Sequence, residues 1–240
     1  MLRLLKALPL AFAIASLSLF AGCGSSSQSQ VRVVHAISDA PALDVDVNTT
    51  KAFTNLAFTN FQPTTGYTKV TSGNVTLEAV DTGTSTAVIA NTNATLSGSA
   101  QYTVLMGGFL QGQGATAPTF YVITDTNTAP TSGNVEFRII NGSSNSPVGG
   151  FDVYIVPPGT NIGNVTPQIS GLTLGQGSGY VSLTFAANGY EVFATPHGNT
   201  FEDVNQIYAT PTGSIRTLVI VDNQGGGGIS QLPIELNDLN

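Results

Sequence analysis

A histidine and three carboxylates lie close together near the start of the chain and could bind a metal ion. His35, Asp39, Asp44 and Asp46 fall within twelve residues, and imidazole nitrogens and carboxylate oxygens are common metal ligands. Asp44 and Asp46, with Asn48 two residues further on, match the first half of an EF-hand calcium loop. The sixth and twelfth positions of that loop lack the required glycine and glutamate. A metal site is therefore one of two interpretations of this segment.

The plainer interpretation is a strand preceded by a tight turn. Leu43, Val45 and Val47 alternate with polar residues, which predicts a strand with one buried face and with its acids exposed on the other. Asp39 precedes an Ala-Pro pair and is predicted to accept hydrogen bonds from backbone amides in the turn. His35 is predicted to hold the same turn through a hydrogen bond of its imidazole ring. This interpretation needs no metal or other cofactor, and we assign none.

The remaining residues give little support to catalysis. A hydrolase needs a nucleophile with an activating base, but the sequence has no Gly-x-Ser-x-Gly motif. The only other histidine, His197, follows a proline and precedes a glycine, where a solvated side chain is expected. A glycosidase would use two carboxylates, and Glu202 and Asp203, near Tyr208, are the best pair that the sequence offers. We predict that the protein is not an enzyme, with hydrolysis of envelope or extracellular glycans as an alternative.

Two apolar residues in a glycine-rich loop are a further candidate contact point. Phe109 and Leu110 lie within residues 107–114, and a second glycine-rich loop, Gly225–Gly228, follows a later strand. Exposed apolar side chains in a loop can mark an interaction site. The alternative is that both residues fold back over the core, which we favour.

The amino terminus has the three parts of a secretory signal peptide. Arg3 and Lys6 precede an apolar run from Leu8 to Phe20, and the small residues Ala21-Gly22 come directly before Cys23. The apolar run is shorter than the roughly 20 residues that a membrane-spanning helix needs. This pattern resembles a bacterial lipoprotein lipobox, which implies cleavage after residue 22 and lipidation of Cys23. The alternative is an ordinary secreted protein with a cysteine near its cleavage site.

Charge and composition exclude several classes of partner. Without the leader the chain has five basic and fourteen acidic residues, a net charge of −9. The basic residues are scattered singly, whereas nucleic-acid binding requires clusters of them. Binding to anionic lipids by charge is disfavoured for the same reason. The expected membrane contact is the lipid on Cys23, and by resemblance to lipoproteins with Gly24 at the next position the location is the outer membrane.

Short alternating segments separated by Gly, Pro, Asn and Ser predict an all-β fold. The best candidate for a helical turn, Lys51–Leu56, is weak. The order of segments also repeats. The chain is therefore divided into a leader (1–22), a lipidated cysteine with a flexible tether (23–30), a first β-sandwich (31–127), a linker (128–134) and a second β-sandwich (135–240).

Several pairs of segments define the repeat. They are Arg32–Ala36 with Arg138–Gly142, Leu43–Val47 with Phe151–Ile155, Gly66-Tyr67 with Gly179-Tyr180, and Tyr102–Met106 with Arg216–Ile220. In the second copy Asn141 takes the place of His35, and Asn145 takes the place of Asp39.

The segment Arg32–Asn48 resembles the start of the DUF4397 family, a domain of unknown function. The agreement lies at His35, Asp39-Ala40-Pro41 and Asp44-Val45. The resemblance covers most of the chain as two copies, the second one degenerate. It implies immunoglobulin-like or transthyretin-like sandwiches on an exported bacterial protein, and it implies no activity.

These observations predict a lipid-anchored protein of the cell envelope that acts as a non-catalytic binding or structural module. The expected partner is a polysaccharide or an envelope protein. Besides the glycan hydrolase, the other alternative is a periplasmic metal-binding protein that uses His35, Asp39, Asp44 and Asp46.

Overall fold

The computed structural model describes residues 27–239, which form an all-β structure of two sandwich domains. The predicted leader and Cys23 lie outside the described residues. The strands of the first domain are β1 (Gln28–His35), β2 (Leu43–Val47), β3 (Thr50–Leu56), β4 (Phe61–Gln62), β5 (Thr68–Thr71), β6 (Gly73–Asp81), β7 (Ala87–Leu96), β8 (Gln101–Gly107) and β9 (Thr119–Asp125). Those of the second are β10 (Asn134–Asn141), β11 (Phe151–Val156), β12 (Ile169–Leu172), β13 (Val181–Thr184), β14 (Tyr190–Pro196), β15 (Val204–Tyr208), β16 (Ile215–Ile220) and β17 (Ile234–Leu239).

The two domains have matching strand orders. In the first, one sheet runs β4-β1-β8-β9, with β5 also on β1, and the other runs β3-β2-β6-β7. In the second, the sheets run β13-β10-β16-β17 and β12-β11-β14-β15. Each domain contains one parallel pair of strands, β1 with β8 and β10 with β16. The sequence prediction of an all-β sandwich architecture is confirmed.

Each sandwich has its own core, built from alternate residues of its strands. Leu43, Val45 and Val47 on β2 face the first core, as their spacing predicts. Phe151 and Val153 on β11 face the second. Residues at every second position share one face of a strand, so this spacing fills the space between the two sheets.

A third apolar cluster joins the two domains. Val34 on β1 and Leu105 on β8 pack with Ile140 on β10 and Val219 on β16. These four strands are therefore apolar on both faces, as expected for strands that are buried on both sides. The molecule is a stack of four sheets in which the two inner sheets pack against each other.

Some local predictions differ from the structure. Lys51–Leu56, the candidate helical turn, belongs to strand β3, where Phe53 and Leu56 face the core. Strand β1 begins at Gln28 instead of Val31, because Gln28–Gln30 pair with Lys69–Thr71 of β5. Two 3₁₀ turns, Gly114–Thr116 and Ile162–Asn164, are the helical elements of the described residues. No helix in residues 27–239 is long and apolar enough to cross a membrane.

Candidate functional site

The four residues considered for a metal site have separate environments. His35 and Asp44 are buried, Asp46 is half-buried and Asp39 is exposed. The side chains of His35, Asp39 and Asp44 form hydrogen bonds to different segments of the chain, and Asp46 Oδ1 is buried without a hydrogen-bond partner. Within the described residues there is no group of three or more His, Cys, Asp and Glu side chains that could hold a metal ion.

His35 holds the turn that follows β1. Its Nε2 lies 3.1 Å from the carbonyl oxygen of Pro41, so this nitrogen carries the proton that is donated. The edge of the ring meets Phe58, with ring centroids 6.2 Å apart. Burial lowers the pKa of His35 from 6.5 to about 4, because desolvation disfavours the charged imidazolium. The side chain is neutral near pH 7 and serves as a hydrogen-bond donor inside the fold.

Asn141 holds the turn that follows β10 in the second domain, with a different set of partners. Its amide nitrogen donates to Ser146 Oγ and to the carbonyl of Leu172, each at 2.8 Å. Its amide oxygen accepts from the backbone N–H of Ser143 at 3.0 Å. Asparagine can replace histidine here because the position requires hydrogen bonding without titration.

Asp44 is not an exposed acid, and the sequence interpretation was wrong in this respect. Its carboxylate is buried and accepts hydrogen bonds from Lys51 Nζ at 2.6 Å, from the backbone N–H of Asn55 at 2.8 Å and from Thr82 Oγ1 at 2.9 Å. The hydrogen bond from Lys51, and then that from Asn55, lower the pKa of Asp44. Alternation predicted which way the side chain points, but the ends of neighbouring strands cover it. Asp44 therefore ties the start of β2 to the two segments beside it.

Asp39 links the turn after β1 to the glycine-rich loop that contains Phe109 and Leu110. Its carboxylate oxygens lie 2.9 and 3.1 Å from the backbone nitrogen of Leu110, which donates to them. The prediction that Asp39 binds backbone amides is met, but the amide is 71 residues away instead of in the same turn. The turn after β1 and the glycine-rich loop after β8 are held together by this contact.

A serine, a histidine and an aspartate meet in the second domain at the position that corresponds to Asp44. Asp152 Oδ1 accepts from Ser170 Oγ at 2.7 Å and lies 2.8 Å from His197 Nδ1. Burial alone would raise the pKa of Asp152, but hydrogen bonds from Gly198 N–H, His197 and Ser170 lower it to about 2. Sequence reasoning left His197 without a partner, because Asp152 is 45 residues away.

This group does not have the arrangement of a catalytic triad. A triad histidine contacts its aspartate with one ring nitrogen and its serine with the other. Here Nδ1 of His197 faces both Asp152 and Ser170 Oγ, the latter at 3.3 Å. The serine donates its proton to the aspartate, so the histidine is not placed as the base that a triad requires. The arrangement fixes two loops, as Asp44 does in the first domain.

Glu202 and Asp203, the carboxylates considered for glycan hydrolysis, lie at the start of β15. Glu202 is exposed and accepts from Asn205 Nδ2 at 3.1 Å. Burial raises the pKa of Asp203, and burial also raises that of Tyr208. The Asp203 backbone N–H donates to Ala194 O at 2.9 Å, which continues the pairing of β14 with β15.

The domains are joined by buried charges that cross between them. Arg32 of the first domain pairs with Asp238 of the second, with 2.6 Å between Nη2 and Oδ1. Arg138 of the second domain pairs with Asp125 of the first. All four side chains are buried. Burial would lower the pKa of Arg138, but the charge and hydrogen bond of Asp125 raise it, so the guanidinium group stays charged.

Two tyrosines and Asn127, which lies between β9 and β10, complete this junction. The Arg32 guanidinium lies 5.1 Å from the ring centroid of Tyr67, and that of Arg138 lies 5.2 Å from Tyr180. Asn127 donates to Tyr67 OH at 2.8 Å and accepts from Tyr180 OH at 3.2 Å. The residue directly before the predicted linker (128–134) is therefore tied to both domains.

Loops from both domains also meet at the other end of the junction. The Gly108 N–H donates to Ser144 Oγ at 3.1 Å, and the Gly225 N–H donates to the Ser38 carbonyl at 2.8 Å. Phe109 is half-buried, and its ring lies against Gly226 of the second domain. From the sequence, Phe109 was expected either to be a free contact point or to fold back over the core of its own domain. In the structure its ring packs on the other domain instead.

A groove opens beside these loops. It has a volume of about 380 Å³ and runs between residues 40–42 and 57–59 of the first domain and residues 222–224 and 230 of the second. Asp222, in its wall, is itself engaged: it accepts from Ser143 Oγ and from the Ser144 backbone N–H.

Comparison with known protein families gives one match. A model described as "Domain of unknown function (DUF4397)" matches residues 29–154, just over half of the chain. The matched region contains nearly all of the first domain and extends through β10 into β11. No curated protein matches the sequence.

Proposed function

The chain belongs to the DUF4397 family, whose function is unknown, and we propose that it is a lipid-anchored protein of the bacterial cell envelope that binds or holds a partner without catalysis. The proposal of a non-catalytic role rests on the partners of the buried carboxylates, which are groups of the protein itself. Asp44 and Asp152 hold loops, Asp222 holds a turn, and Asp125 and Asp238 neutralise arginines between the domains. Each one accepts from groups of the protein itself.

The same contacts argue against the glycan hydrolase. Asp125 and Asp238 do come together, since both lie within 3.6 Å of Arg32 Nη2. A glycosidase requires two carboxylates that converge on one bound sugar. Both side chains are fully buried between the domains, where a sugar has no access, and both are paired with arginines. The role of this pair is to join the domains.

We infer that the second domain is a divergent second copy of the family domain. The matching sheet orders support this inference, and so do the reciprocal contacts. Arg32 corresponds to Arg138, Tyr67 to Tyr180, and Asp125 to Asp238, and each trio spans both domains. Pairing across the junction makes the two copies a single rigid unit, so the loops at their ends keep a constant separation.

The anchor is the predicted lipid on Cys23. Four residues separate Cys23 from β1, which begins at Gln28. At about 3.3 Å per residue they reach about 13 Å, so the first domain lies next to the membrane surface. The expected location is the outer membrane. The partner that fits a rigid two-domain unit held there is a polysaccharide or a protein of the envelope.

Labelling with a fatty acid tests the anchor. Cells that produce the full chain are grown with a radioactive or clickable fatty acid, and the membrane fraction is examined. We expect the wild type to be labelled and membrane-bound, the Cys23→Ser variant to be unlabelled and uncleaved, and the Ser25→Ala control to behave as the wild type. A labelled and normally cleaved Cys23→Ser variant would overturn the lipoprotein assignment.

Incubation with envelope polysaccharides tests the non-catalytic role. The protein is mixed with isolated peptidoglycan and with surface polysaccharide, and both bound protein and new reducing ends are measured. We expect retention on one of these materials with no increase in reducing ends. Release of soluble sugar by the wild type, lost in a Glu202→Gln or Asp203→Asn variant, would instead support the hydrolase.

A further inference from the structure

The groove between the two domains lies at the end of the molecule that is away from the proposed anchor. Strand β1 begins at Gln28, close to the anchor, and ends at His35. The groove lies beyond that end, because its walls include residues 40–42, which follow β1, and residues 222–224, which follow β16. A ligand can therefore reach the groove without approaching the membrane.

Contacts between the domains fix the shape of the groove. The Gly225 N–H donates to the Ser38 carbonyl at 2.8 Å, and Asp222, in the wall, accepts from Ser143 Oγ and from the Ser144 N–H. The volume of about 380 Å³ falls in the range of roughly 300–1,000 Å³ found for small-molecule sites, which are usually preformed and often lie between domains. The groove is thus a preformed site for a small group or for a short part of a long chain.

The wall of the groove is largely apolar on the side of the first domain. Phe58 is half-buried there, and its ring is nearly perpendicular to that of His35, with centroids 6.2 Å apart. This contact holds the Phe58 ring in place, so it can serve as a fixed apolar surface for a ligand. The other apolar residues on this side are Ala40, Pro41, Ala42 and Ala57.

Polar groups that are available to a ligand lie beside this apolar wall. Thr59 and Gln224 are exposed, and their side chains form no hydrogen bond within residues 27–239. Asn223 donates from Nδ2 to the Ile229 carbonyl at 3.2 Å, which leaves its amide oxygen available. The groove therefore offers uncharged donors and acceptors next to an aromatic ring.

Thr59 has a strained backbone conformation. Its φ is +69°, which is rare for a β-branched residue. Its N–H donates to the His35 carbonyl at 2.9 Å, and this hydrogen bond holds the conformation. A glycine would adopt the same φ without strain, so the fold does not need the threonine side chain. Strain of this kind is concentrated at functional sites, and here it places a hydroxyl group at the groove.

The groove offers no free charge. Of the described residues that line it, Asp222 alone is ionisable, and its buried carboxylate already accepts from Ser143 and Ser144. Asp39, which is exposed next to Ala40, adds negative charge nearby, and the chain without its leader has a net charge of −9. An anionic ligand would be repelled and would find no counter-ion. The groove is suited to an uncharged ligand.

We propose that the groove binds one or two residues of an uncharged glycan. A sugar ring has an apolar C–H face, which lies against Phe58 in this arrangement. Its hydroxyl groups need hydrogen-bond partners when they leave water, and Thr59, Asn223 and Gln224 supply them. This inference rests on the proposed binding role and adds the ligand class and the place where it binds.

A peptide fits the groove less well than a glycan. Residues 40–42, 57–59 and 222–224 all lie between strands, so these walls present no strand edge to which a peptide could add. The ring of Phe58 and the uncharged polar groups around it match the two kinds of surface that a sugar presents.

A single tryptophan can report binding, because the chain contains none. Phe58→Trp keeps an aromatic ring in the groove. The purified full chain is titrated with neutral disaccharides and trisaccharides of glucose, galactose, mannose and N-acetylglucosamine, and with a trisaccharide of galacturonic acid. We expect a saturable change in fluorescence with at least one neutral sugar and no change with the acidic sugar.

Phe185→Trp is the matched control for this titration. Phe185 is 42% exposed, and its N–H donates to the carbonyl of Gly133, just before β10, at the opposite end of the molecule from the groove. Its fluorescence should not respond to any of the sugars. Equal responses of the two variants, or no response of Phe58→Trp to any neutral sugar, would overturn the inference.

Charge variants at Ala57 test whether the ligand is uncharged. Ala57 is exposed in the groove, so Ala57→Arg and Ala57→Glu both narrow it, with opposite charges. By calorimetry with the neutral sugar found above, we expect both to weaken binding by at least about tenfold. Ala187→Arg and Ala187→Glu, in the exposed loop after β13, should bind as the wild type does. Binding of the acidic sugar by the wild type as tightly as the neutral one would overturn the ligand class.

Thr59→Gly removes the hydroxyl group without strain. Because glycine suits a φ of +69°, the melting temperature should stay close to that of the wild type. The affinity for the sugar should fall by about fivefold, as expected for the loss of one hydrogen bond. An unchanged affinity would contradict the role given to Thr59.

Retention on envelope polysaccharide distinguishes this inference from the proposed function. If the wild type and both Ala57 variants are retained equally, the groove is not the binding site, although the proposed binding role stands. If the wild type is retained on no envelope material, the binding role itself is wrong, and the inference is wrong with it.

Discussion

Arg32 Nη2 lies 2.6 Å from Asp238 Oδ1, and the two residues belong to different domains. Arg138 and Asp125 form the reciprocal pair, so each domain supplies the counter-ion for the arginine of the other. A buried charge without a partner costs several kcal/mol. The charges therefore specify how the domains fit, in addition to the apolar cluster around Val34 and Ile140.

We expect loss of one member of the ion pair to destabilise the protein strongly. Asp238→Leu removes the closer of the two carboxylates beside the buried Arg32 guanidinium and leaves it only Asp125, at 3.6 Å and shared with Arg138, so it should lower the free energy of unfolding by about 3 kcal/mol. Arg32→Met/Asp238→Leu replaces both charges by apolar groups and should cost less. Urea unfolding measures both, with Glu202→Gln, an exposed acid, as the control. A double variant less stable than Asp238→Leu would contradict the pairing.

His35 should make stability fall in weakly acidic solution. The pKa of His35 is about 4 in the folded protein against 6.5 in the unfolded chain, so below pH 6.5 the unfolded chain takes up a proton that the folded protein does not. The free energy of unfolding should fall between pH 6.5 and pH 4, by about 3 kcal/mol at most. It can be followed by urea unfolding at a series of pH values.

His35→Asn is the matched variant for this measurement, because Asn141 already fills the corresponding place in the second domain. It should keep the turn while removing the loss of stability between pH 6.5 and pH 4. Asp152, with a pKa of about 2, contributes stability that is lost only between about pH 3.8 and pH 2, below this range. An unchanged pH dependence in His35→Asn would contradict the prediction.

Asp44 and its partner Lys51 should differ in their effect on stability. Asp44→Ala leaves the Asn55 N–H and the Thr82 hydroxyl without their acceptor and should cost about 1–3 kcal/mol. Lys51 is half-exposed, so Lys51→Ala should cost less than about 1 kcal/mol. Thermal unfolding distinguishes the two, and adding a chelator should leave the melting temperature of the wild type unchanged. A lower melting temperature with chelator would restore the metal hypothesis.

The contact of Phe109 with the second domain can be tested by adding one methyl group. At Gly226, where φ is +82°, a Cβ atom would lie 3.0 Å from Cε1 of Phe109. Gly226→Ala should therefore lower the free energy of unfolding by about 1–3 kcal/mol. Gly225→Ala is the control, because φ is also +82° there while a Cβ meets no atom within 4 Å. Equal stability of the two variants would show that the ring does not occupy this position.

Local pattern predicted the fold class well, and contacts between distant segments account for what it missed. The alternation of Leu43, Val45 and Val47 gave the correct core face. The burial of Asp44 depends on Asn55 in β3 and on Thr82, just after β6, so alternation within β2 could not show it. The partnership of Asp152 with His197 is likewise a contact across 45 residues.

The sequence did contain one sign that the two domains pack against each other. The adjacent residues Val33 and Val34, like Ile139 and Ile140, are both apolar, although one faces the core of its own domain and the other faces the junction. Consecutive apolar residues indicate a strand that is buried on both faces. The crossed pairing of Arg32 with Asp238, in contrast, had no signal that a single sequence could provide.

The parallel pairing of β1 with β8 determines how the molecule responds to mechanical load. Strand β1 is the first after the proposed anchor, and it pairs with β8 along Gln30–His35 and with β5 along Gln28–Val31. Tension from the membrane side pulls β1 along its own axis. The hydrogen bonds to both neighbours then carry the force together in shear, instead of opening one after another, so the fold resists extraction at the end where it is held.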